Sequence, residues 1–301
     1  MGITLKQAQV FLATARTEHL GKAAQRLYMT KGAVSQALRE FENQLGVHLF
    51  DRNHPRILLN HEGRRLLPLA DELVGRAAEL EHFFRGDNGA ADDFLLAGCS
   101  KTIGNYLMPG LIAGFETRHG WLPDVHIANS GEILRLIASF TLDMALLEGE
   151  ERHPDLTFEP WLEDDMVVIA PSSHPLANGV RHTVDRLASE RWILREQDSG
   201  TREYFANTLG AALGRYTIAL TLGSPAAIME AVAQGLGVTF ASRFCTGHFP
   251  QTERFSVIEL ERSFPRIFSL CYHSRKYHAA GMRAFLDFCR ERKESGKAGV
   301  N

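Results

Sequence analysis

Between Asn60 and Phe84 apolar residues return at intervals close to alternating three and four: Leu66, Leu69, Leu73, Ala77, Leu80 and Phe84. That period belongs to an α-helix with one narrow apolar seam. The spacing predicts a helix over residues 61–86 whose seam either covers a core or pairs with a second copy of itself. Asn60 is placed to cap it, and Gly86-Asp87-Asn88-Gly89-Ala90-Ala91 ends the periodicity. The helix divides a chain of 301 residues into two parts with different patterning.

The part before it is helical and basic. Thr4 and Gln7 form a capping box, and Leu5, Ala8, Phe11, Leu12 and Ala15 give the first helix one apolar face. Residues 21–45 read as two short helices joined by a tight turn. In the second, Val34, Leu38, Phe41 and Leu45 face inward and leave Lys31, Ser35, Gln36 and Arg39 on the opposite side, with donors that suit phosphate oxygens and base edges. Thr30 is placed to cap this helix, turning its free N–H groups toward an anion such as a DNA backbone. Asp51-Arg52-Asn53-His54-Pro55-Arg56 is turn-like, and Ile57-Leu58-Leu59 is extended, which predicts a hairpin wing. Arg52 and Arg56 on it either reach a phosphate or minor groove or are simply solvated.

Charge follows the same division. The chain carries −3 overall, yet residues 1–65 hold ten Lys and Arg against five Asp and Glu, and the remainder holds 23 against 31. A basic head on an acidic body attracts a polyanion locally, with an affinity that falls as salt rises.

From Phe94 onward, short apolar runs alternate with amphipathic ones, the pattern of a parallel-sheet α/β construction. The strands expected are 94–99, 125–128, 144–147, 166–170, 192–194, 216–222 and 238–241. In such sheets ligands bind beyond the carboxyl ends of strands, where helix amino termini converge. Three loops there are rich in hydroxyls and amides: Ser100-Lys101-Thr102, Asn129-Ser130-Gly131 and Ser199-Gly200-Thr201-Arg202, with Arg195 just upstream of the third. Ser130 and Ser199 read equally as helix caps. Ser224-Pro225 marks a fourth helix start. Together the loops favour a small oxyanion or carboxylate. Glu148, at the end of the strand beginning at Met144, needs either a cationic partner or a proton-bearing ligand group.

The runs Ala23-Ala24-Gln25-Arg26-Leu27, Ala33-Val34-Ser35-Gln36-Ala37-Leu38, Phe41-Glu42 and Leu45-Gly46-Val47-His48-Leu49-Phe50-Asp51-Arg52 resemble the DNA-binding domain of LysR-type transcriptional regulators. The resemblance extends over essentially the whole chain. It implies a winged helix-turn-helix over 1–60, a linker and dimerisation helix over 61–86, and a two-lobed effector domain like periplasmic binding proteins over 91–301. Lobe I would take about 91–163 and 267–301, and lobe II about 164–266. Gly21-Lys22 and Lys31-Gly32 depart from the commoner residues of the family, so base preference does not transfer. Ser100-Lys101-Thr102-Ile103-Gly104-Asn105-Tyr106, Glu148-Gly149, Pro160-Trp161-Leu162-Glu163-Asp164, Trp192-Ile193-Leu194-Arg195-Glu196 and Ser199-Gly200-Thr201-Arg202-Glu203 are similar to a branch that includes sulfur-oxyanion regulators, which suggests sulfite or sulfate as effector. The partners implied are double-stranded promoter DNA, a second or further copies in a homodimer or homotetramer, and RNA polymerase. No cofactor is expected.

Other classes find less support. No nucleophile elbow, H-E-x-x-H, Walker loop or dinucleotide glycine fingerprint occurs, which argues against an enzyme. No apolar run approaches the roughly 18–20 residues of a membrane span, and the amino terminus lacks the features of a secretion signal, so a cytoplasmic location is expected and an exported solute-binding protein is not. Cys99, Cys245, Cys271 and Cys289 form no C-x-x-C pair and read as buried thiols, although Cys99 beside the first loop leaves thiol redox sensing as an alternative.

Overall fold

The computed structural model describes residues 2–53, 56–82, 94–148, 153–247 and 254–294. Three helices open the chain: α1 (Leu5–Thr17), α2 (Leu20–Arg26) and α3 (Lys31–Leu45). The expected capping box closes α1, with Gln7 N–H donating to Thr4 Oγ1 and Thr4 N–H to Gln7 Oε1. Thr30 Oγ1 accepts from Ala33 N–H and caps α3. The right-handed path of α3 ends at Gly46, which takes a φ of 72° that a side chain would resist. Phe11, Val34, Leu38 and Phe41 make the core of this head, which the hairpin β1 (Phe50–Asn53) and β2 (Arg56–Leu59) closes with Phe50 and Ile57.

Helix α4 (His61–His82) follows, with Asn60 Oδ1 accepting from Gly63 N–H as its cap. Leu67, Ala70 and Val74 pack on the head. Leu69, Leu73 and Leu80 remain 64%, 43% and 72% exposed. The expected boundary at 86–91 and the seam residue Phe84 lie outside the described residues. An ion cluster ties head, helix and body together: Arg16 of α1 and Lys276 both bond Asp71 of α4, and Lys276 Nζ also lies 2.8 Å from Asp143. Lys276 and Asp71 are both buried, so each charge depends on the others for its solvation.

The body contains the strands β3 (Leu96–Ser100), β4 (Asp124–Ala128), β5 (Met144–Glu148), β6 (Leu156–Pro171), β7 (Arg191–Arg195), β8 (Thr217–Leu222), β9 (Thr239–Ser242), β10 (Phe255–Ile258) and β11 (Pro265–His273). Its helices are α5 (Lys101–Tyr106), α6 (Met108–His119), α7 (Ser130–Ala138), α8 (Gly200–Asn207), α9 (Leu209–Leu213), α10 (Pro225–Ala233), α11 (Phe244–Gly247) and α12 (Ala280–Glu294). Parallel pairs β4-β3-β5 and β7-β8 agree with the alternating pattern. The purely parallel expectation needs correction, because β6 and β11 run antiparallel to each other over most of their length. The first half of β6 pairs with β11, and its second half, from Met166, pairs with β9 and β10. One strand thus serves two sheet regions, each with its own core: Leu95, Leu146, Phe268 and Phe285 in one, Trp192, Phe205, Phe240 and Phe264 in the other.

Candidate functional site: a reading helix and an inter-lobe cleft

On α3 the inward residues Val34 and Leu38 are buried, while Thr30, Lys31, Gln36 and Arg39 are exposed and Ser35 is half-buried. The outward side chains bond along their own helix. Arg39 Nη2 donates to Ser35 Oγ at 3.0 Å, and Gln36 Nε2 to Glu40 Oε1 at 2.9 Å. Such exposed pairs are weak and exchange readily with other partners. Arg56 is exposed at the start of β2. The Arg52 side chain, with His54 and Pro55, lies outside the described residues.

In the body, the expected loops meet where β6 and β11 cross between the two cores. The centre is Glu148, 2% exposed at the end of β5. Its Oε1 accepts the hydroxyls of Thr102, at 3.1 Å, and of Thr201, at 3.4 Å, so one carboxylate joins the loop after β3 to the loop after β7. Neither cationic partner nor ligand group is needed for that oxygen. Gly200 allows the approach, since a Cβ there would come within 2.9 Å of the Glu148 carbonyl and 3.0 Å of Ser130 Oγ. Gly131 N–H donates to Asp198 O across the same junction.

Around this centre the other expected residues divide by what holds them. Ser100 Oγ accepts from Ile103 N–H, Asn129 Oδ1 from Glu132 N–H and Ser224 Oγ from Ala227 N–H, so these three cap helices. The cap reading of Ser130 is corrected, and that of Ser199 holds for its position but not for its side chain. Asn129 holds the cap position of α7 and its side chain makes the bond, while Ser199 holds the cap position of α8 without using its hydroxyl. Both hydroxyls are buried with no partner among the described residues. Lys101 Nζ donates to Glu196 Oε1 and Gly223 O, and Arg195 donates to both oxygens of Glu196, so neither cation is free. Burial resists ionisation of Glu196, but the hydrogen bonds from Arg195 and Lys101 outweigh it and hold that carboxyl below the ordinary range. Arg202 is half-buried on α8, with Nη1 unpartnered among the described residues.

Four more residues join this cluster: Glu196 and Asp164, named above only within family-like runs, and Arg266 and Ser242, which the sequence reading did not single out. Glu196 bridges the loops. Arg266 of β11 donates from Nε to Asp164 Oδ2 at 2.7 Å and from Nη1 to Thr201 Oγ1 at 3.1 Å, and Ser242 Oγ donates to Asp164 Oδ1. Burial pushes the Asp164 carboxyl up, against the pull of Arg266. A lone arginine in the apolar run from Phe264 to Phe268 was the available signal, because a charge there must find a buried partner. A cavity of about 20 Å³ remains between Thr102, Arg195, Thr201, Met229, Ser242 and Cys245, room for little more than a water. All four cysteines are buried, and burial pushes the thiols of Cys99 and Cys245 up to about 12. A neutral thiol is a poor nucleophile toward peroxide, which weakens the redox alternative.

Among the described residues no helix is long and apolar enough to cross a membrane. The model of the bacterial regulatory helix-turn-helix proteins of the lysR family matches residues 5–64, and that of the LysR substrate binding domain matches residues 95–294. The uncharacterized HTH-type transcriptional regulator YeiE of Escherichia coli (strain K12) is 37% identical over 293 residues, covering 96% of this chain and 98% of that protein. A full-length OxyR variant from Pseudomonas aeruginosa shares the fold with a TM-score of 0.76 at 19% identity, over 96% of this chain and 95% of the other. The regulatory domain of Synechocystis CcmR, solved in complex with 2-PG, matches with a TM-score of 0.63 at 24% identity, over 67% of this chain and 97% of the other. With a reading head and a two-lobed α/β body both accounted for, the chain belongs to the LysR family of DNA-binding transcriptional regulators.

Proposed function

We propose that this regulator binds promoter DNA as a dimer or tetramer and changes its grip when a small anion, with sulfite and sulfate the leading candidates, enters the cleft around Glu148. The observation that carries the effector half is the pair of buried hydroxyls at helix starts, Ser130 as the first residue of α7 and Ser199 at the cap position of α8, beside residues drawn from both lobes. Helix starts of this kind suit an oxyanion or carboxylate. The CcmR domain was solved with 2-PG, which fits a small anionic ligand in a cleft of this architecture. The small cavity implies that a ligand enters by parting the lobes, so binding would bias a hinge where β6 passes from its pairing with β11 to its pairing with β9 and β10. The proposed domain limits remain 1–60, 61–86 and 91–301, with lobes divided near 163 and 267.

The DNA half of the proposal rests on Thr30, Lys31, Ser35, Gln36 and Arg39 of α3, with Arg52 and Arg56 on the wing. Paired α4 helices would set the spacing of two heads on one duplex. The exposed Leu69, Leu73 and Leu80 supply the apolar contact. The Arg16–Asp71–Lys276–Asp143 cluster is the physical link through which lobe position would reach the head, and RNA polymerase is the partner at the promoter. Two measurements test the reading. Selection of genomic fragments followed by mobility shifts should give specific complexes that weaken steeply with salt, and failure to retain any fragment over competitor DNA would remove the DNA half. Calorimetric titration with sulfite, sulfate, phosphate and small carboxylates should give saturable binding for at least one.

A further inference from the structure

The two carboxylate oxygens of Glu148 are in unequal surroundings. Oε1 accepts from Thr102 and Thr201, whereas Oε2 is buried with no partner among the described residues. Ser130 and Ser199, 1% and 3% exposed, add two unpartnered hydroxyls. Ser130 and Glu148 are close together, because the point where a Gly200 Cβ would stand is 3.0 Å from Ser130 Oγ and 3.3 Å from Glu148 Cγ; Ser199 directly precedes Gly200 in the chain. Beyond Thr201, Arg266 Nη2 is also buried without a partner. A buried acceptor left unmatched is costly to a fold, so Oε2 calls for a partner beyond the protein's own groups: an ordered water, an ion or a ligand.

We propose that Glu148 determines effector specificity by accepting a hydrogen bond from the ligand, so that the effector carries both acceptor oxygens and an O–H or N–H donor. The chemical class is a hydrogen-bearing oxyanion or a small hydroxy acid. A fully deprotonated anion such as sulfate presents only acceptors and would set a lone pair and a negative charge against Oε2. A hydrogen-bearing anion would answer both kinds of need: its oxygens can accept from buried hydroxyls such as Ser130, and its hydrogen can go to Glu148 Oε2, with Arg266, bonded to Thr201, as the buried cation of the cluster. The inference rests on the small-anion reading of the cleft and narrows it, favouring hydrogen sulfite over sulfate.

Calorimetry on the full-length protein at neutral pH decides it, with sulfite, phosphate and glycolate as donor-bearing probes and sulfate and acetate as donor-free ones. At least one donor-bearing probe is expected to bind tenfold or more tightly than its donor-free counterpart. Glu148→Gln, whose amide can donate to an acceptor, should shrink that ratio at least tenfold, mainly by strengthening the donor-free anion. Donor-free probes that bind wild-type protein as tightly as donor-bearing ones overturn the inference while leaving the small-anion reading intact. So does a ratio that Glu148→Gln leaves unchanged. If no probe binds, the small-anion reading falls and takes the inference with it. Should Glu148→Gln fail to fold, sulfite affinity against pH replaces it: binding that weakens as the probe loses its proton supports the role of Glu148, and binding that strengthens overturns it.

Discussion

The polar face of α3 and the polar cleft of the body contain the same kinds of side chain in opposite states. On α3, Arg39 bonds Ser35 and Gln36 bonds Glu40, all within one helix and open to water. In the cleft, Thr102, Glu148 and Thr201 bond across elements remote in sequence, buried beside the Asp164–Arg266 pair. The first arrangement can be dismantled at little cost and rebuilt against a duplex. The second is held by desolvation, so removing one member leaves others unmatched. The surface proposed for recognition and the site proposed for switching therefore differ in where their hydrogen bonds go.

The contrast is broken most directly at Asp164. Asp164→Asn keeps the shape but leaves the Arg266 guanidinium, whose side chain is 1% exposed, without its counter-charge. Breaking a buried pair costs about 3–5 kcal/mol, and chemical denaturation should show a loss toward the lower end, because burial already opposes the Asp164 charge. A loss below about 1 kcal/mol would mean that the pair behaves like a surface one. The matched changes on α3, Arg39→Ala and Gln36→Ala, should leave the unfolding midpoint almost unmoved and each weaken operator binding by about 1–3 kcal/mol. Mobility shifts and thermal melts on the same preparations check both halves. Conversely, Thr102→Ala should leave DNA affinity intact and weaken the ligand response by about 1 kcal/mol. If DNA affinity falls for the loop variant but not for the helix variants, the division of roles is wrong. Leu73→Glu places a charge on the exposed seam of α4 and should lower the mass seen by light scattering. An unchanged mass would count against pairing through that seam.

The two regions were also unequally legible in the sequence. The reading head is built from local contacts, so capping residues and helical periodicity located α1, α3, their caps at Thr4 and Thr30, and the outward face. The hydroxyl loops of the cleft followed from alternation of strands and helices, and Thr102, Ser130, Glu148 and Thr201 do come together. What the pattern missed is long-range. β11 and the extended course of β6 pair residues about a hundred positions apart, as Arg266 and Asp164 are. No periodicity encodes that partnership. The capping assignment of Ser130 failed, and that of Ser199 held only in position, for a more local reason. Asn129, one residue earlier, takes the α7 cap, and Ser199 holds the α8 cap position without a side-chain cap bond.

The smallest effect sharpens the comparison in pH. Lys101 and Glu196 join loops from opposite lobes on a part-exposed bridge, and Glu196 has its carboxyl lowered by Arg195 and Lys101 despite burial. A carboxyl lowered in the folded state binds its proton less readily there than when unfolded. Its contribution is therefore complete above the ordinary glutamate value near about 4.3, and it is lost as pH falls through the lower folded value. Screening of this bridge keeps the contribution to roughly 0.5–1 kcal/mol. Stability measured from pH 6 down to pH 3 should fall along a shallower slope in Glu196→Gln than in the wild type, with the two curves converging at the acid end. Parallel curves would show that the lobes are held together by the buried groups alone.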